Sequence, residues 1–319
     1  MPAKNKILVT GGAGFIGSQL VDRLIEKGNK VVVFDNLSSG RLEFLEQHFE
    51  NPDFTFIEGD LLDTEALEKA CNGIEFVYHV AANPDVRLGV SNTKVHFEQN
   101  ITATYNLLEA MRKIGTGKIA FTSTSTVYGE AKIIPTPEDY GPLIPISLYG
   151  ASKLACEALI TSYSHTFDIQ AWIFRFANIV GPRSTHGITV DFIQKLQENQ
   201  KQLEILGDGK QEKSYLHVSE CVAAILFSVE NSSEEVNIFN IGSEDTISST
   251  CIGKIVVEEM GLSNVDFRYT GGSRGWKGDV PRMRLGIEKL KALGWKPEYS
   301  SERSVRETAK TLLKNREQE

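Results

Sequence analysis

The residues with the clearest chemical potential are Tyr149 and Lys153, four positions apart in the segment Tyr149-Gly-Ala-Ser-Lys153. On a helix, residues four apart share a face, so the Lys153 ammonium can lie near the Tyr149 phenol. A free phenol has a pKa of about 10 and is a poor base at neutral pH, whereas a neighbouring cation favours the phenolate. The spacing therefore predicts that Lys153 lowers the pKa of Tyr149, so that Tyr149 can exchange protons with a substrate.

Hydroxyl side chains supply the chemical context, which is needed because Tyr and Lys four apart also occur by chance in many helices. The apolar, strand-like segment 118–122 ends in Thr122 and is followed by Ser123, Thr124, Ser125 and Thr126. In open α/β sheets, ligands bind at the carboxyl ends of the strands. We therefore expect these hydroxyl side chains to lie near Tyr149 and Lys153 at a ligand site.

A glycine pattern near the start of the sequence is typical of dinucleotide binding. Residues 11–17 follow a strand-like segment, open a helix-like one, and read Gly11-Gly-Ala-Gly14-Phe15-Ile16-Gly17. Glycines permit a tight turn and a close backbone approach to a pyrophosphate, whose negative charge is favoured at a helix N-terminus. The pattern predicts that the backbone of this turn binds a dinucleotide.

An acidic residue at the end of the next predicted strand indicates which dinucleotide is bound. Asp35 follows Gly11 by 24 positions, where a carboxylate accepts hydrogen bonds from the adenosine ribose and repels the extra phosphate of NADP. NAD is therefore the expected cofactor, although the nearby Arg41 is a residue type that accommodates NADP. Asp35 could instead simply begin the turn that ends at Gly40.

Composition excludes several classes of function. The 319 residues contain 34 basic and 42 acidic side chains, giving a net charge of -8. Without a dense basic stripe, binding to nucleic acid or to an anionic membrane is disfavoured. The first residues lack the apolar segment of a signal peptide, and no stretch approaches the length of a membrane span, so we expect a cytoplasmic protein without a membrane partner.

The first half of the chain alternates short β-branched segments with longer amphipathic ones, which predicts a Rossmann-type, doubly wound parallel sheet with helices on both faces. The predicted strands are 6–10, 30–34, 54–58, 76–80, 118–122, 171–174 and 236–241. The alternation breaks down after Arg175. We therefore predict an NAD-binding domain at 1–177 and a smaller α/β substrate-binding lobe at 178–319, with an approximate boundary because segment 236–241 is expected to return to the main sheet.

Together these motifs resemble the extended short-chain dehydrogenase/reductase family of nucleotide-sugar enzymes, and among them the UDP-sugar 4-epimerase type. The resemblance covers nearly the whole chain. Besides the glycine pattern and Tyr149-x-x-x-Lys153, it rests on Asp35-Asn-Leu-Ser-Ser-Gly40, Gly59-Asp60-Leu61, His79-Val-Ala-Ala82, Ser125-Thr-Val-Tyr-Gly129 and Arg175-Phe-Ala-Asn178.

The resemblance implies further residues for each ligand. Asp60 and Leu61 would contact the adenine, Asn100 would line the cofactor path, and Lys153 would also bind the nicotinamide ribose. The remaining implied cofactor residues are Asn36, Ser38, Ser39, Gly40, Ala81, Ala82, Thr122, Phe176 and Ala177. Two of these positions have simpler explanations, since Asp60 could be a turn or N-cap residue and Asn100 could be ordinary helix packing.

The residues after Thr124 distinguish reactions within the family. The resemblance implies that Thr124 is the catalytic Thr of this family. The 4,6-dehydratases of the family carry Asp-Glu directly after this Thr, and the UDP-glucuronate decarboxylases carry Ser-Glu. This chain has Ser125 and Thr126 at these two positions. Without a second acid or base, reversible hydride transfer at the sugar C4 is the simplest chemistry. Another nucleotide-sugar reaction of this fold and a non-catalytic NAD-binding protein remain alternatives.

The expected substrate residues are less regular. Relatives hold the substrate pyrophosphate with Arg side chains, but this chain has Lys213 at one such place and Trp276-Lys-Gly-Asp279 at another. We hypothesise a clamp shifted to Arg274, assisted by Lys213 and by Arg183, which could equally be a solvated surface residue. The other candidates for substrate contact are Arg87, which could instead pair with Asp85, together with Ser125, Thr126, Asn178 and Asp279.

Other features bear on partners and ions. The histidines lack metal-ligand spacing, and we read His79 as a hydrogen-bonded core residue and assign no metal. The four cysteines are predicted to be buried thiols. Segments 97–113 and 152–167 carry apolar residues that could pair across a twofold axis or simply cover the sheet, and the resemblance favours a homodimer: Leu107, Leu108, Met111, Leu154 and Leu159.

Overall fold

Fourteen strands form the framework of the protein in the computed structural model, which describes residues 4–316. In chain order they are β1 (Lys6–Thr10), β2 (Lys30–Asp35), β3 (Phe54–Glu58), β4 (Phe76–His79), β5 (Lys118–Thr124), β6 (Gln170–Phe176), β7 (Asn178–Val180), β8 (Gln202–Ile205), β9 (Glu212–Lys213), β10 (Tyr215–His217), β11 (Val236–Ile241), β12 (Ile247–Ser248), β13 (Asp266–Tyr269) and β14 (Arg282–Met283).

Eleven α-helices accompany these strands within the same described residues. They are α1 (Phe15–Glu26), α2 (Thr64–Cys71), α3 (Leu88–Ser91), α4 (Thr93–His96), α5 (Ala103–Ile114), α6 (Leu148–Phe167), α7 (Ile188–Glu198), α8 (Val218–Asn231), α9 (Ser249–Glu259), α10 (Glu288–Leu293) and α11 (Ser301–Arg316). A π-helical segment, Phe97–Thr102, joins α4 to α5, and a 3-10 turn, Ser125–Tyr128, follows β5.

The main sheet has seven strands in the order β11-β6-β5-β4-β1-β2-β3. Strand β1 pairs in parallel with both β2 and β4, so the chain reverses its direction of winding between β1 and β4. Such a switch point opens a crevice at the carboxyl ends of the strands, where α/β proteins bind ligands. All seven predicted strands lie in this sheet, which confirms the predicted doubly wound architecture.

The core of the sheet is built from the apolar residues that the sequence pattern had placed on helix faces. Leu107, Leu108 and Met111 of α5 are fully buried in a cluster with strand residues such as Leu8 and Phe121. Of the two explanations for this stripe, covering of the sheet is therefore correct for these three residues. They are not available to pair across a twofold axis.

The chain divides into two compact units, each made of three segments. Among the described residues, the first unit comprises 4–127, 147–175 and 225–239, and the second comprises 128–146, 176–224 and 240–316. The chain changes unit close to the predicted boundary at residue 177, and it also does so near residues 127, 146, 224 and 239.

The second unit has its own apolar core. Helices α7, α9 and α11 contribute Ile193, Val256 and Val305, which are buried against Leu203 and Ile205 of β8. Short strands connect its loops, with β7 beside β10, β8 beside β13, and β9 between β12 and β14. These short strands fix loop ends rather than forming an extended sheet.

The cysteines and the helices test two expectations from the composition. Cys71, Cys156 and Cys221 are buried as predicted, but Cys251 is exposed, because it occupies a solvent-facing position of the first turn of α9. None of the helices within residues 4–316 combines the length and apolar composition that a bilayer crossing requires.

Candidate functional site

The turn between β1 and α1 is built for close backbone approach. Gly11 has φ +70°, and a Cβ there would lie 2.6 Å from the backbone of Ala81. A Cβ on Gly17 would overlap the Gly11 carbonyl oxygen, so both positions require glycine for the turn to form. Helix α1 begins at Phe15 and Ile16, and its N-cap residue Gly14 offers no side chain to cap the helix. The first-turn N–H groups can therefore bind an anion such as a pyrophosphate.

Asp35 links this turn to the loop after β2. Its Oδ2 accepts a hydrogen bond from the Ala13 backbone N–H at 2.9 Å, and its Oδ1 accepts one from Leu37 at 2.9 Å. Asp35 thus begins the following turn, as the simpler explanation required, and it also anchors the glycine turn. Burial raises the pKa of its carboxyl group, which the two backbone N–H groups oppose. Each carboxylate oxygen has lone pairs left for a ribose hydroxyl.

A second acidic residue shapes the neighbouring loop. Asp60 Oδ1 accepts from the Leu62 backbone N–H at 2.9 Å, which makes Asp60 the turn residue that the simpler explanation describes. Its Oδ2 accepts from Asn36 Nδ2 at 3.0 Å, and Asn36 Oδ1 accepts from the Ser38 backbone N–H at 3.0 Å. The loops after β2 and β3 are therefore joined side chain to side chain. Ser39 is exposed and Leu61 is buried beside them.

Helix α6 presents the predicted tyrosine and lysine. The Ser147 side chain caps the helix by accepting from the Gly150 backbone N–H at 3.0 Å, which places Tyr149 in the first turn and Lys153 in the second. The ring of buried His96 packs edge-to-face against the Tyr149 ring, with centroids 5.7 Å apart. Tyr149 is thus held on a rigid element with its ring orientation constrained.

The electrostatics of Tyr149 differ from the sequence prediction. Burial raises the pKa of the Tyr149 phenol above its ordinary value, and a side-chain hydrogen bond with Thr124 acts in the lowering direction. The predicted lowering by Lys153 is wrong for the protein's own groups, because the Lys153 ammonium is directed elsewhere. Its Nζ donates to the Thr122 carbonyl oxygen at 2.8 Å and lies 4.6 Å from the centroid of the Phe121 ring.

Lys153 is almost completely buried, with 2% of its surface exposed. Burial lowers the pKa of its ammonium from 10.5 to about 8, and electrostatic interactions with Cys156 and then Glu157 act in the raising direction. At neutral pH the lysine is therefore mostly charged, with its titration close to the physiological range. A lysine in this state can both donate hydrogen bonds and respond to small changes in its surroundings.

The hydroxyl residues lie at the end of β5 as expected. Thr124 is the last residue of the strand, is 8% exposed, and its Oγ1 accepts from the Thr126 hydroxyl and backbone N–H at 3.2 Å each. Thr124 and Tyr149 are close enough to interact, so the structure brings together Thr124, Tyr149 and Lys153. Ser125 and Thr126 follow in the 3-10 turn, both partly exposed.

His79 is a core residue. Its Nδ1 is hydrogen-bonded to the Thr10 hydroxyl at 2.7 Å and its Nε2 to the Thr104 hydroxyl at 3.0 Å. Burial lowers the pKa of the imidazole from 6.5 to about 3. His79 is therefore neutral at physiological pH and joins β4 to β1 and α5, as predicted for this residue.

Asn100 supports the site from the π-helical segment. Its Oδ1 accepts from the Asn83 backbone N–H at 2.8 Å, and its Nδ2 donates to the Ser152 hydroxyl at 2.9 Å. The Ser152 hydroxyl in turn donates to the Tyr149 carbonyl at 2.8 Å. Asn100 therefore ties the loop that carries Ala81 and Ala82 to the first turn of α6. This packing role is the alternative that the sequence left open.

Two predicted cofactor residues, Phe176 and Ala177, and the predicted substrate residues Asn178 and Arg183 lie from the end of β6 onward and belong to the second unit. Phe176 and Ala177 are buried, and Asn178 in β7 donates through Nδ2 to the Ser214 carbonyl at 3.2 Å. Arg183 is partly buried and has φ +66°, in the left-handed region. In the first unit, Arg87 is exposed, and its backbone N–H donates to Asp85 Oδ1 at 2.9 Å.

Two of the three residues of the hypothesised clamp, Lys213 and Arg274, form one ion-paired cluster with Asp279 and Glu130. Lys213 Nζ donates to Asp279 Oδ1 at 2.5 Å, and Asp279 Oδ2 accepts from the Gly275 backbone N–H at 2.9 Å. Arg274 donates to the Asp279 carbonyl at 2.6 Å and to Glu130 Oε1 at 2.5 Å. Trp276 covers the lysine, with Nζ 5.1 Å from a ring centroid. Asp279 thus fixes the loop that carries Arg274, a structural role that its prediction as a substrate contact did not include.

Sequence reasoning missed a buried acid beside the site. Glu157 lies four residues after Lys153 on α6 and pairs with Arg175 of β6, Arg175 NH2 to Glu157 Oε2 at 2.7 Å. A signal was available, because each is an isolated charge within an otherwise apolar segment that the pattern places against the core. Two such opposite charges predict each other as partners.

Comparisons with known proteins agree with this geometry. The sequence model of the NAD dependent epimerase/dehydratase family matches residues 7–242. A crystal structure of UDP-galactose 4-epimerase is 43% identical, with a TM-score of 0.87, over 97% of this chain and 99% of that chain. The UDP-glucose 4-epimerase of Thermotoga maritima, solved with UDP-glucose, is 34% identical, also with a TM-score of 0.87, over 97% and 99% of the two chains.

The family also contains relatives with other reactions. UDP-glucuronic acid decarboxylase 2 of Arabidopsis thaliana is 32% identical over 303 residues, which are 92% of this chain and 65% of the relative. The matches confirm the resemblance inferred from the motifs, and they confirm NAD as the cofactor. They leave the sugar and the reaction within the family open.

Proposed function

The chain belongs to the NAD-dependent epimerase/dehydratase family, and we propose that it is a UDP-sugar 4-epimerase, acting on the UDP-glucose/UDP-galactose pair or on the corresponding N-acetylhexosamine pair. The observation that carries the proposal is the grouping of Thr124, Tyr149 and Lys153, with Ser125 and Thr126 in the positions where a dehydratase or decarboxylase would need an acid. The names of the 43% and 34% identical structures support the same reaction.

The residues of the first unit would hold NAD. We assign the pyrophosphate to the uncapped N-terminus of α1 and the adenosine ribose to Asp35. Asp60 and Leu61 would lie along the adenine, and Lys153 would donate to the nicotinamide ribose. When bound, NAD accepts a hydride from the sugar and returns it, and its oxidised ring carries a positive charge that favours the Tyr149 phenolate.

Proton movement in this proposal belongs to Tyr149. The phenolate oxygen takes the proton of the sugar 4-hydroxyl while the C4–H bond breaks, which leaves a 4-keto sugar and a neutral phenol. Thr124 donates a hydrogen bond to the same sugar oxygen. When the ketone is reduced on its other face, Tyr149 returns the proton to the oxygen. The burial that raises the pKa of the phenol keeps Tyr149 protonated for this second step.

Substrate binding would use the second unit. Arg274 is the residue type that contacts phosphate oxygens in a bidentate manner, and its guanidinium is held by hydrogen bonds to Glu130 and to the Asp279 carbonyl. We assign the sugar-nucleotide phosphates to Arg274, assisted by Lys213 and Arg183, with Asn178 as a further contact. Arg87 is a further residue that we propose as a contact of the sugar.

Assembly and location are part of the same proposal. Phe97 and Tyr105 expose large aromatic surfaces on the π-helical segment and α5, which is typical of a protein–protein contact. We propose a homodimer, and sedimentation equilibrium checks it. A cytoplasmic location is also proposed, because the reaction requires NAD and nucleotide sugars.

The proposal is tested by proton NMR of the purified protein with catalytic NAD and one nucleotide sugar at a time. The nucleotide sugars to be tested are UDP-glucose, UDP-N-acetylglucosamine, UDP-glucuronate and dTDP-glucose. Appearance of the 4-epimer without net NADH is the expected result, and the relative rates rank the sugars. A 4-keto-6-deoxy product, or a UDP-pentose with release of CO2, would replace epimerisation by dehydration or decarboxylation.

The decarboxylase is the second candidate because a relative of that activity matches 92% of this chain. Its reaction needs the same first oxidation at C4, so Tyr149 and Thr124 would act identically. Two differences separate the reactions: the substrate must carry a carboxylate at C5, and the related decarboxylases carry a Glu where this chain has Thr126. Conversion of UDP-glucuronate alone, with a pentose product, is the outcome that would favour it.

A further inference from the structure

A buried ion pair lies directly behind the catalytic group. Arg175 of β6 donates to both carboxylate oxygens of Glu157, through Nε at 3.1 and 3.2 Å and through NH2 at 2.7 Å. The Ser123 hydroxyl of β5 donates to the same carboxylate. Both charged side chains are 5% exposed. One acid on α6 therefore joins the helix to two adjacent strands of the sheet.

The position of this acid relates it to each catalytic residue. Tyr149, Lys153 and Glu157 occupy successive turns on one face of α6, at four-residue intervals. Ser123, which Glu157 binds, immediately precedes Thr124 at the end of β5. Displacement of the Glu157 carboxylate would therefore move the strand end that carries Thr124 and the helix face that carries Lys153.

Several groups surround the Lys153 ammonium. Helix α6 contributes Tyr149, Cys156 and Glu157, and β5 contributes the Thr122 carbonyl. The ionisable groups of the two strands next to β5 are Tyr78 and His79 of β4 and Arg175 of β6.

Most of these groups are uncharged at neutral pH. Burial raises the pKa of the Tyr149 phenol and of the Cys156 thiol, and it lowers the pKa of His79 to about 3. The Glu157 carboxylate is therefore the group of this set that brings negative charge near the lysine.

We infer that Glu157 is a positioning residue for the catalytic group: through Ser123 it fixes the end of β5 against α6, through Arg175 it fixes the end of β6, and its carboxylate, one helical turn from Lys153, stabilises that ammonium. The consequence for turnover rests on the proposed function. The effect on Lys153 itself does not, because it concerns the protein without substrate.

The direct test is an NMR titration of lysine side chains labelled with 13C at Cε, in which Lys153→Met identifies the Lys153 signal. In the wild-type protein, the Lys153 signal is expected to titrate with a midpoint near pH 8. In Glu157→Gln the Lys153 midpoint should fall by about one pH unit, because a nearby opposite charge has been removed. Ser123→Ala is the matched control, because it removes the hydrogen bond and keeps the charge, so its midpoint should stay at the wild-type value.

A double variant guards against misfolding. Glu157→Gln leaves Arg175 buried without its carboxylate, whereas Glu157→Gln combined with Arg175→Met removes both charges, a change that buried pairs often tolerate. The double variant should fold and retain the lowered Lys153 midpoint. An unchanged midpoint in the folded variants would overturn the inference, and so would failure of the double variant to fold, since the pair would then serve the fold rather than the lysine.

Turnover supplies the second readout. The rate should fall as the pH rises through the Lys153 midpoint, and Glu157→Gln should move this basic limb to lower pH by the same amount as the NMR midpoint. Glu157→Asp, which keeps the charge on a shorter side chain, should restore the limb but not the full kcat. If no nucleotide sugar is converted, the proposed function fails while the NMR titration still decides the role of Glu157.

Discussion

The ion pairs of the two units differ in their solvent exposure and in the type of secondary structure that carries them. In the first unit, Glu157 and Arg175 are each 5% exposed and lie on a helix and a strand of the main sheet. In the second unit, Glu130 and Arg274 are 50% and 39% exposed and lie on loops. Regular elements with a dry environment hold reacting groups in one geometry, whereas exposed loop cations can adapt to a ligand. The first arrangement suits chemistry and the second suits binding.

Among the variants that test this comparison, Tyr149→Phe is expected to have the largest effect, a loss of kcat. Loss of the phenolic hydroxyl removes the proton-transfer group, so kcat should fall by about 10²–10⁴-fold. NAD should remain bound, because the glycine turn and Asp35 are untouched. Epimerisation followed by NMR and cofactor content measured by absorbance check both halves. Turnover at the wild-type rate would remove Tyr149 from the mechanism.

The stability of the two pairs gives the next largest difference. Glu157→Gln should lower the free energy of unfolding by about 3–5 kcal/mol, because it leaves a buried guanidinium without its charged partner. Glu130→Gln, the matched change in the exposed pair, should lower it by less than about 1 kcal/mol. Urea unfolding of both variants measures the difference. Equal losses would mean that the contrast in burial has no energetic consequence.

The buried groups of the first unit should also make stability depend on pH. Because the pKa of His79 falls from 6.5 in an ordinary environment to about 3, the unfolded chain binds a proton in this range that the folded chain does not. Stability should therefore fall as the pH falls, by about 2 kcal/mol between pH 6.5 and 5.

His79→Gln removes this dependence, and urea unfolding at the two pH values measures it. The control is His165→Gln, since His165 is 58% exposed and should leave the wild-type dependence intact. A pH dependence that survives in His79→Gln would assign it to another buried group.

The smallest expected effect belongs to the exposed cluster of the second unit. Arg274→Ala should raise the KM for a UDP-sugar by about tenfold with little change in kcat, because a bidentate phosphate contact is lost. Arg274→Lys should be intermediate, since lysine binds phosphate as a point charge. Glu130→Gln should not raise KM, as it releases Arg274 from a competing carboxylate. A wild-type KM in Arg274→Ala would exclude the shifted clamp.

The residues proposed for the catalytic group show which features could be predicted from the sequence. The spacing of Tyr149 and Lys153 correctly placed both on one helix, and the hydroxyl run correctly placed Thr124 at a strand end. Periodicity alone did not reveal that Lys153 donates to the Thr122 carbonyl, because that contact joins α6 to β5 across many residues. The pKa of Tyr149 was predicted in the wrong direction for the same reason, since burial is a property of the packed site.

The second unit was harder to predict. Arg274, Lys213 and Asp279 were named as substrate residues from their departures from a motif, but their mutual pairing depends on loops that are distant in the sequence. Glu157 was overlooked, and Arg175 was named only as the start of a motif, although each stands alone in an apolar segment. A charge within a buried pattern is a signal whose partner becomes visible only when the elements are packed.

The sequence by itself determined the alternating strands and helices, the glycine turn and which side chains are proposed as catalytic, because these depend on local periodicity, backbone freedom and residue chemistry. The tertiary structure decided which polar groups are buried and which carbonyl accepts the hydrogen bond of the Lys153 ammonium. It also decided that one acid, Glu157, joins α6 to both β5 and β6. These outcomes depend on contacts between distant segments, whose desolvation and charge pairing no local pattern contains.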